Sequence, residues 1–133
     1  MLFALVCKTN LIAQQNMPED PIGKALFSPD MVMQNQQAIN LTEAQRNNIS
    51  KEMQSAQSEF MTLQWDLQKE AEKFKSLIEK EKPAEMEVLE QLERMLAIEN
   101  KIKKRQITLL MRIKNLLNHE QQEKLQNLRD RGR

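Results

Sequence analysis

The chain has 133 residues, with 20 Lys and Arg against 19 Asp and Glu, two glycines and no tyrosine. That length fits one domain, and the near-cancellation of charge excludes a global field able to gather nucleic acid or steer an acidic ligand. One cysteine, Cys7, excludes an intramolecular disulfide and any CxxC metal or redox site.

The bulk of the chain is Glu, Lys, Gln, Leu, Met and Ala, which lose little entropy in a helix, and hairpin turn signals are missing. The expected fold class is all-α: a long antiparallel helical hairpin flanked by a short helix at each end, and dimeric. Residues 1–13 carry Leu2 to Val6, then Lys8, then Leu11-Ile12-Ala13, and resemble a secretory signal that has lost its basic start. Residues 14–28, with Pro18, Pro21 and Gly23, read as a flexible arm. Ser28 as a cap and Pro29 at the first helical position then open a short helix through Met31, Val32, Asn35, Ala38 and Ile39, broken at Asn40.

Thr42 opens a segment without Gly or Pro as far as Pro83. Ile49, Met53, Ala56, Phe60, Leu63, Leu67, Phe74 and Leu77 recur at alternating spacings of four and three, with Glu70 or Ala71 in the one weak slot. This predicts a helix of roughly 60 Å with a narrow apolar seam. Pro83 breaks it and can itself begin the next helix, with Glu85 and Glu87 in the favourable first turn. That helix runs to Leu116, and its apolar stripe (Met86, Leu89, Leu92, Met95, Leu96, Ile102, Leu109, Leu110, Ile113, Leu116) is wider than a hairpin partner can cover. Asn118 caps a last helix ending at Arg131 before Gly132. Two long helices with narrow seams bury too little to be comfortable alone, which predicts a homodimer.

Two helix starts repeat one motif: Leu41-Thr42-Glu43-Ala44-Gln45 and Leu117-Asn118-His119-Glu120-Gln121. In each, Thr42 or Asn118 can accept from a first-turn backbone N–H, and Gln45 or Gln121 can reach back to the cap. With a long hairpin between them, these copies resemble the LTxxQ family of bacterial periplasmic proteins, which includes the Spy and CpxP chaperone-like proteins and the CnrX-type and ZraP-type heavy-metal-resistance sensors. The first copy fits fully; the second has Asn118 where the motif has Thr, a change that keeps the cap. The resemblance covers residues 29–131, and Pro29 to Met33 look like the helix preceding the motif in the sensor branch. It implies a four-helix protomer, a dimer whose curved surface binds clients, and a periplasmic location.

Catalysis is not expected, because the chain has one histidine, no glycine-rich phosphate loop and no nucleophile–base constellation; no cofactor is implied. His119 with Glu123, four residues on, is the weak candidate for a metal site, but transition metals want three or four ligands, and the plainer reading is an exposed helix start. The histidine clusters of the metal-binding family members are missing. Client binding suits the composition better. Met61, Met111 and Trp65 fall off the seams, where exposed apolar groups mark contact surfaces. Beside them, Lys101, Lys103, Lys104, Arg105 and Arg112 could form a basic amphipathic surface that attracts clients, although complementing the helix dipole is the plainer account. These observations lead to a periplasmic ATP-independent chaperone or stress adaptor that binds unfolded envelope proteins. The alternatives are a metal or stress sensor regulating a membrane-bound partner, or a structural helical adaptor. No aromatic interleaving suggests nucleic acid.

Overall fold

The computed structural model describes residues 21–132, and these hold five helices and no strand: α1 (Pro21–Ala25), α2 (Pro29–Gln34), α3 (Glu43–Ile78), α4 (Glu85–Leu116) and α5 (His119–Arg131). The signal-like run of residues 1–13, and Cys7 with it, lies outside the described residues.

α3 and α4 lie side by side in opposite directions, so that Glu52 meets Arg112, Glu59 meets Arg105 and Glu70 meets Gln91. The seam read from the sequence faces α4: Ile49 and Ala56 are buried, and Met53, Phe60, Leu63, Leu67, Phe74 and Leu77 are half-buried. The weak slot goes to Glu70. Its carboxylate accepts from Gln91 Nε2 at 2.5 Å, and its backbone carbonyl accepts from the same nitrogen at 2.9 Å. That bond from the buried Gln91 holds the Glu70 carboxyl below its usual pKa, with Lys73 and Arg94 adding to the effect against the opposing cost of burial.

Three boundaries differ from the sequence reading. α2 ends at Gln34 because the Asn35 side chain donates to the Met31 carbonyl at 2.7 Å, a local bond that competes with further helix. The chain then turns through Asn40, whose φ of 52° is the left-handed conformation asparagine tolerates, and Ile39 is buried nonetheless. Pro83 does not start α4. Ala84 is the N-cap, in extended conformation and without a side-chain cap bond, so only the charges of Glu85 and Glu87 serve that end. Nor do residues 21–28 form an arm free of the domain: α1 is helical and Phe27 is 2 % exposed.

The core sits at one end. Phe27, Val32, Ile39, Leu41, Ile49, Ile113, Leu117 and Leu125 form one cluster where α2 and α5 fold against the open end of the α3–α4 hairpin. Arg129 of α5 fastens the residues before α2: its guanidinium donates to the carbonyls of Gly23, Lys24 and Leu26 and stacks 5.0 Å over the Phe27 ring. Away from this base, α3 and α4 pack only on each other among the described residues.

Candidate binding surface

The two repeated motifs meet at the base. Gln45 Oε1 accepts from the Thr42 N–H at 3.0 Å while the Gln45 N–H donates to Thr42 Oγ1 at 3.1 Å. The second motif repeats this, with Asn118 N–H to Gln121 Oε1 at 3.0 Å and Gln121 N–H to Asn118 Oδ1 at 2.8 Å. The two glutamines then bond each other in both directions, Nε2 to Oε1, at 2.8 and 2.9 Å. Each spends its second amide hydrogen on the chain entering the other motif: Gln45 on the Leu116 carbonyl at 2.8 Å, Gln121 on the Ile39 carbonyl at 3.2 Å. Every donor of both amides is thereby used, which is what permits Gln121 to be 4 % exposed. The motif is therefore a lock joining four chain segments as well as a pair of caps. Leu41 and Leu117 sit beside it in the core, 8 % and 5 % exposed. Sequence reasoning found the caps and missed the bond between them.

Of the residues read as a binding surface, Met61 and Trp65 are 62 % and 61 % exposed, and Met111 is 46 % exposed. At 100° per residue, Met61 and Trp65 lie on the side of α3 turned away from α4. Their neighbours from Gln54 to Gln68 along that side, Gln54, Gln57, Ser58, Thr62 and Gln68, are exposed and uncharged, and the exposed Lys69 and Glu72 follow one to two turns on. Met111 lies on the outer side of α4, so the hairpin itself stands between it and Trp65.

The cations read as a basic surface are brought together only in part. Lys101 and Lys104 are exposed and share a side of α4, but at 100° per residue Lys103 points well away from them. Arg105 is a correction: it is 9 % exposed, its Nε donating to Glu59 Oε2 at 2.8 Å and its Nη2 to Ser55 Oγ at 3.4 Å. Its Nη1 is buried and has no hydrogen-bond partner among the described residues. Arg112 is turned to Glu52 at 3.2 Å. These cations answer acids on α3, and one flank of the hairpin becomes ionic. The signal was present: Glu52 and Glu59 are seven residues apart, as are Arg105 and Arg112.

The other flank carries apolar residues on either side of the exposed Glu99 and Lys103, and among the described residues nothing covers it beyond the base. Leu89 is 51 % and Leu96 45 % exposed, with Leu92 and Ile107 half-buried in the same stripe. Met86, expected in the seam, is 75 % exposed, standing in the first turn of α4 where α3 has already ended.

His119 Nε2 and Glu123 Oε2 are 3.9 Å apart, both well exposed. No group of three His, Cys, Asp or Glu side chains positioned to hold a metal ion occurs among the described residues. None of the described helices is long and apolar enough to cross a membrane. The chain matches no family model, no curated protein and no solved structure.

Proposed function

We propose that the chain is a non-enzymatic binding protein of the LTxxQ type, exported to the periplasm, where it works as a homodimer that shields unfolded envelope proteins without ATP. The observation that carries this reading is the exposed Met61–Trp65 pair, set among uncharged residues from Gln54 to Gln68 on the outer side of α3. A large indole and a thioether left in water are costly unless something covers them, and methionine repacks against varied apolar partners. Glutamine, serine and threonine around them offer hydrogen bonds without repelling a client of either charge. The reciprocal Gln45–Gln121 lock supports the family assignment, since it gives both copies of the motif one shared structural purpose.

Light scattering from a heat- or reductant-unfolded protein tests the proposal, run with and without divalent metals. Suppression at stoichiometric concentrations, weakened by Trp65→Ala and indifferent to metal, is expected. Absence of suppression together with a metal-dependent change in helix packing would overturn it in favour of a sensor.

A further inference from the structure

The uncovered flank of α4 has an order to it. Taking the side of α4 that packs on α3 as zero (Gln91, Met95, Ile102, Leu109 and Ile113), the residues Leu89, Leu92, Leu96, Glu99, Lys103 and Ile107 fall in one stripe about 100° round the helix. Read from either end toward the middle, the stripe runs from apolar to charged. Leu96 precedes Glu99 by three residues, and Ile107 follows Lys103 by four. Glu99 and Lys103 are both exposed, and neither has an ion-pair partner among the described residues.

A stripe that is apolar at both ends, with an acid and a base at its centre, is complementary to itself when turned end for end. A two-fold interface requires that relation, since residue i must meet residue j while j meets i. We propose that this flank is the interface with a second copy of the chain, the two α4 helices crossing antiparallel about a two-fold axis near Lys101. In that register Glu99 of each chain lies opposite Lys103 of the other, and Leu96 lies against Ile107. The ionic flank cannot serve the same purpose, because Arg105 and Arg112 are already engaged by Glu59 and Glu52. Nor does the contact consume Trp65, which lies on the side of α3 turned away from α4. The charges supply register more than affinity, as interfacial charges generally do.

This inference rests on the dimeric reading above, and the experiment separates the two. Sedimentation equilibrium is run on the full chain, on Glu99→Lys, on Lys103→Glu and on the double swap, with helicity checked by circular dichroism. The natural chain is expected to dimerise. Each single reversal sets like charges opposite one another twice and is expected to weaken the dimer by about tenfold or more, and the double swap to restore it. A pairing of Glu99 with Lys103 within one helix would leave association unmoved by these changes. A monomeric natural chain overturns dimerism itself; a dimer indifferent to both single reversals overturns this face. Should a reversal disturb folding, Glu99→Cys with Lys103→Cys in a Cys7→Ser background gives a second reading. A chain-to-chain disulfide forming under mild oxidation is expected, and failure to cross-link a proven dimer rejects the register.

Discussion

The two ends of the hairpin are built on different terms. At the base, five chain segments meet around Ile49, Ile113, Leu117 and Leu125, and the amides of the half-buried Gln45 and the buried Gln121 are paired in both directions. Along the shaft, two helices share a seam in which most residues are half-buried, one guanidinium nitrogen of Arg105 is unsatisfied, and Leu89, Leu96 and Met86 face outward. A fully satisfied polar network inside a packed cluster specifies one arrangement, whereas a thin seam flanked by exposed apolar groups leaves surface to spend on partners. The two ends differ in kind: the repeated motif fixes where four segments join, and the shaft leaves large apolar side chains exposed.

That contrast can be broken most sharply in the core. Leu125→Ala and Ile113→Ala remove side chains that are 0 % exposed, and each is expected to cost about 2–5 kcal/mol in chemical denaturation. Leu67→Ala, at a half-buried shaft position, should cost clearly less. Equal losses would mean that the shaft is as tightly built as the base.

The glutamine lock comes next. Gln121→Ala removes a cap bond and strands donors and acceptors that no longer have partners, for an expected loss of about 1–3 kcal/mol. Because Gln45 and Gln121 share their bonds, the double variant should cost less than the two singles together. Strict additivity in a double-mutant cycle would show that the two motifs act as independent caps.

Arg105 should behave in the opposite sense. Arg105→Met trades a buried, incompletely bonded cation for an apolar chain of similar reach, and buried ion pairs replaced this way are often neutral or stabilising. A change within about 1 kcal/mol is expected, read from the denaturation midpoint. A loss as large as that at Leu125 would make the ionic flank a primary support of the fold.

The smallest effect concerns acid. The Glu70 carboxyl is held below its ordinary value of 4.5 in the folded chain, chiefly by Gln91. Its contribution is therefore complete above the unfolded-state value and is lost as pH falls through the lowered folded-state value. Glu70→Gln should flatten the fall in stability below pH 4.5, and an unchanged acid limb would remove Glu70 from the account.

Much of this fold was legible in the sequence because local rules decide it. The seam from Ile49 to Leu77, the caps at Ser28, Thr42 and Asn118, and the wide stripe of α4 all follow from helical period and capping chemistry. What was not legible depends on two segments meeting. Arg105 looks like any solvated cation until Glu59 of the neighbouring helix is set beside it. Residues 21–28 look like an arm because Pro21 and Gly23 break periodicity, whereas the distant Arg129 and Lys114 and the socket for Phe27 hold them down. The exposure of Trp65 and Met61 follows from their falling off the seam, whereas the turning of Arg105 and Arg112 toward Glu59 and Glu52 depends on the neighbouring helix.

The most direct test of the division between base and shaft is to compare Thr42→Ala with Trp65→Ala for both melting temperature and suppression of aggregation. Loss of the Thr42 cap is expected to lower stability by about 1 kcal/mol and to leave suppression intact below the melting transition. Trp65→Ala, at an exposed position, is expected to leave the melting temperature unchanged while weakening suppression. The reverse pattern, with Thr42→Ala abolishing suppression in a chain of unchanged melting temperature, would contradict the account and move function to the motif itself.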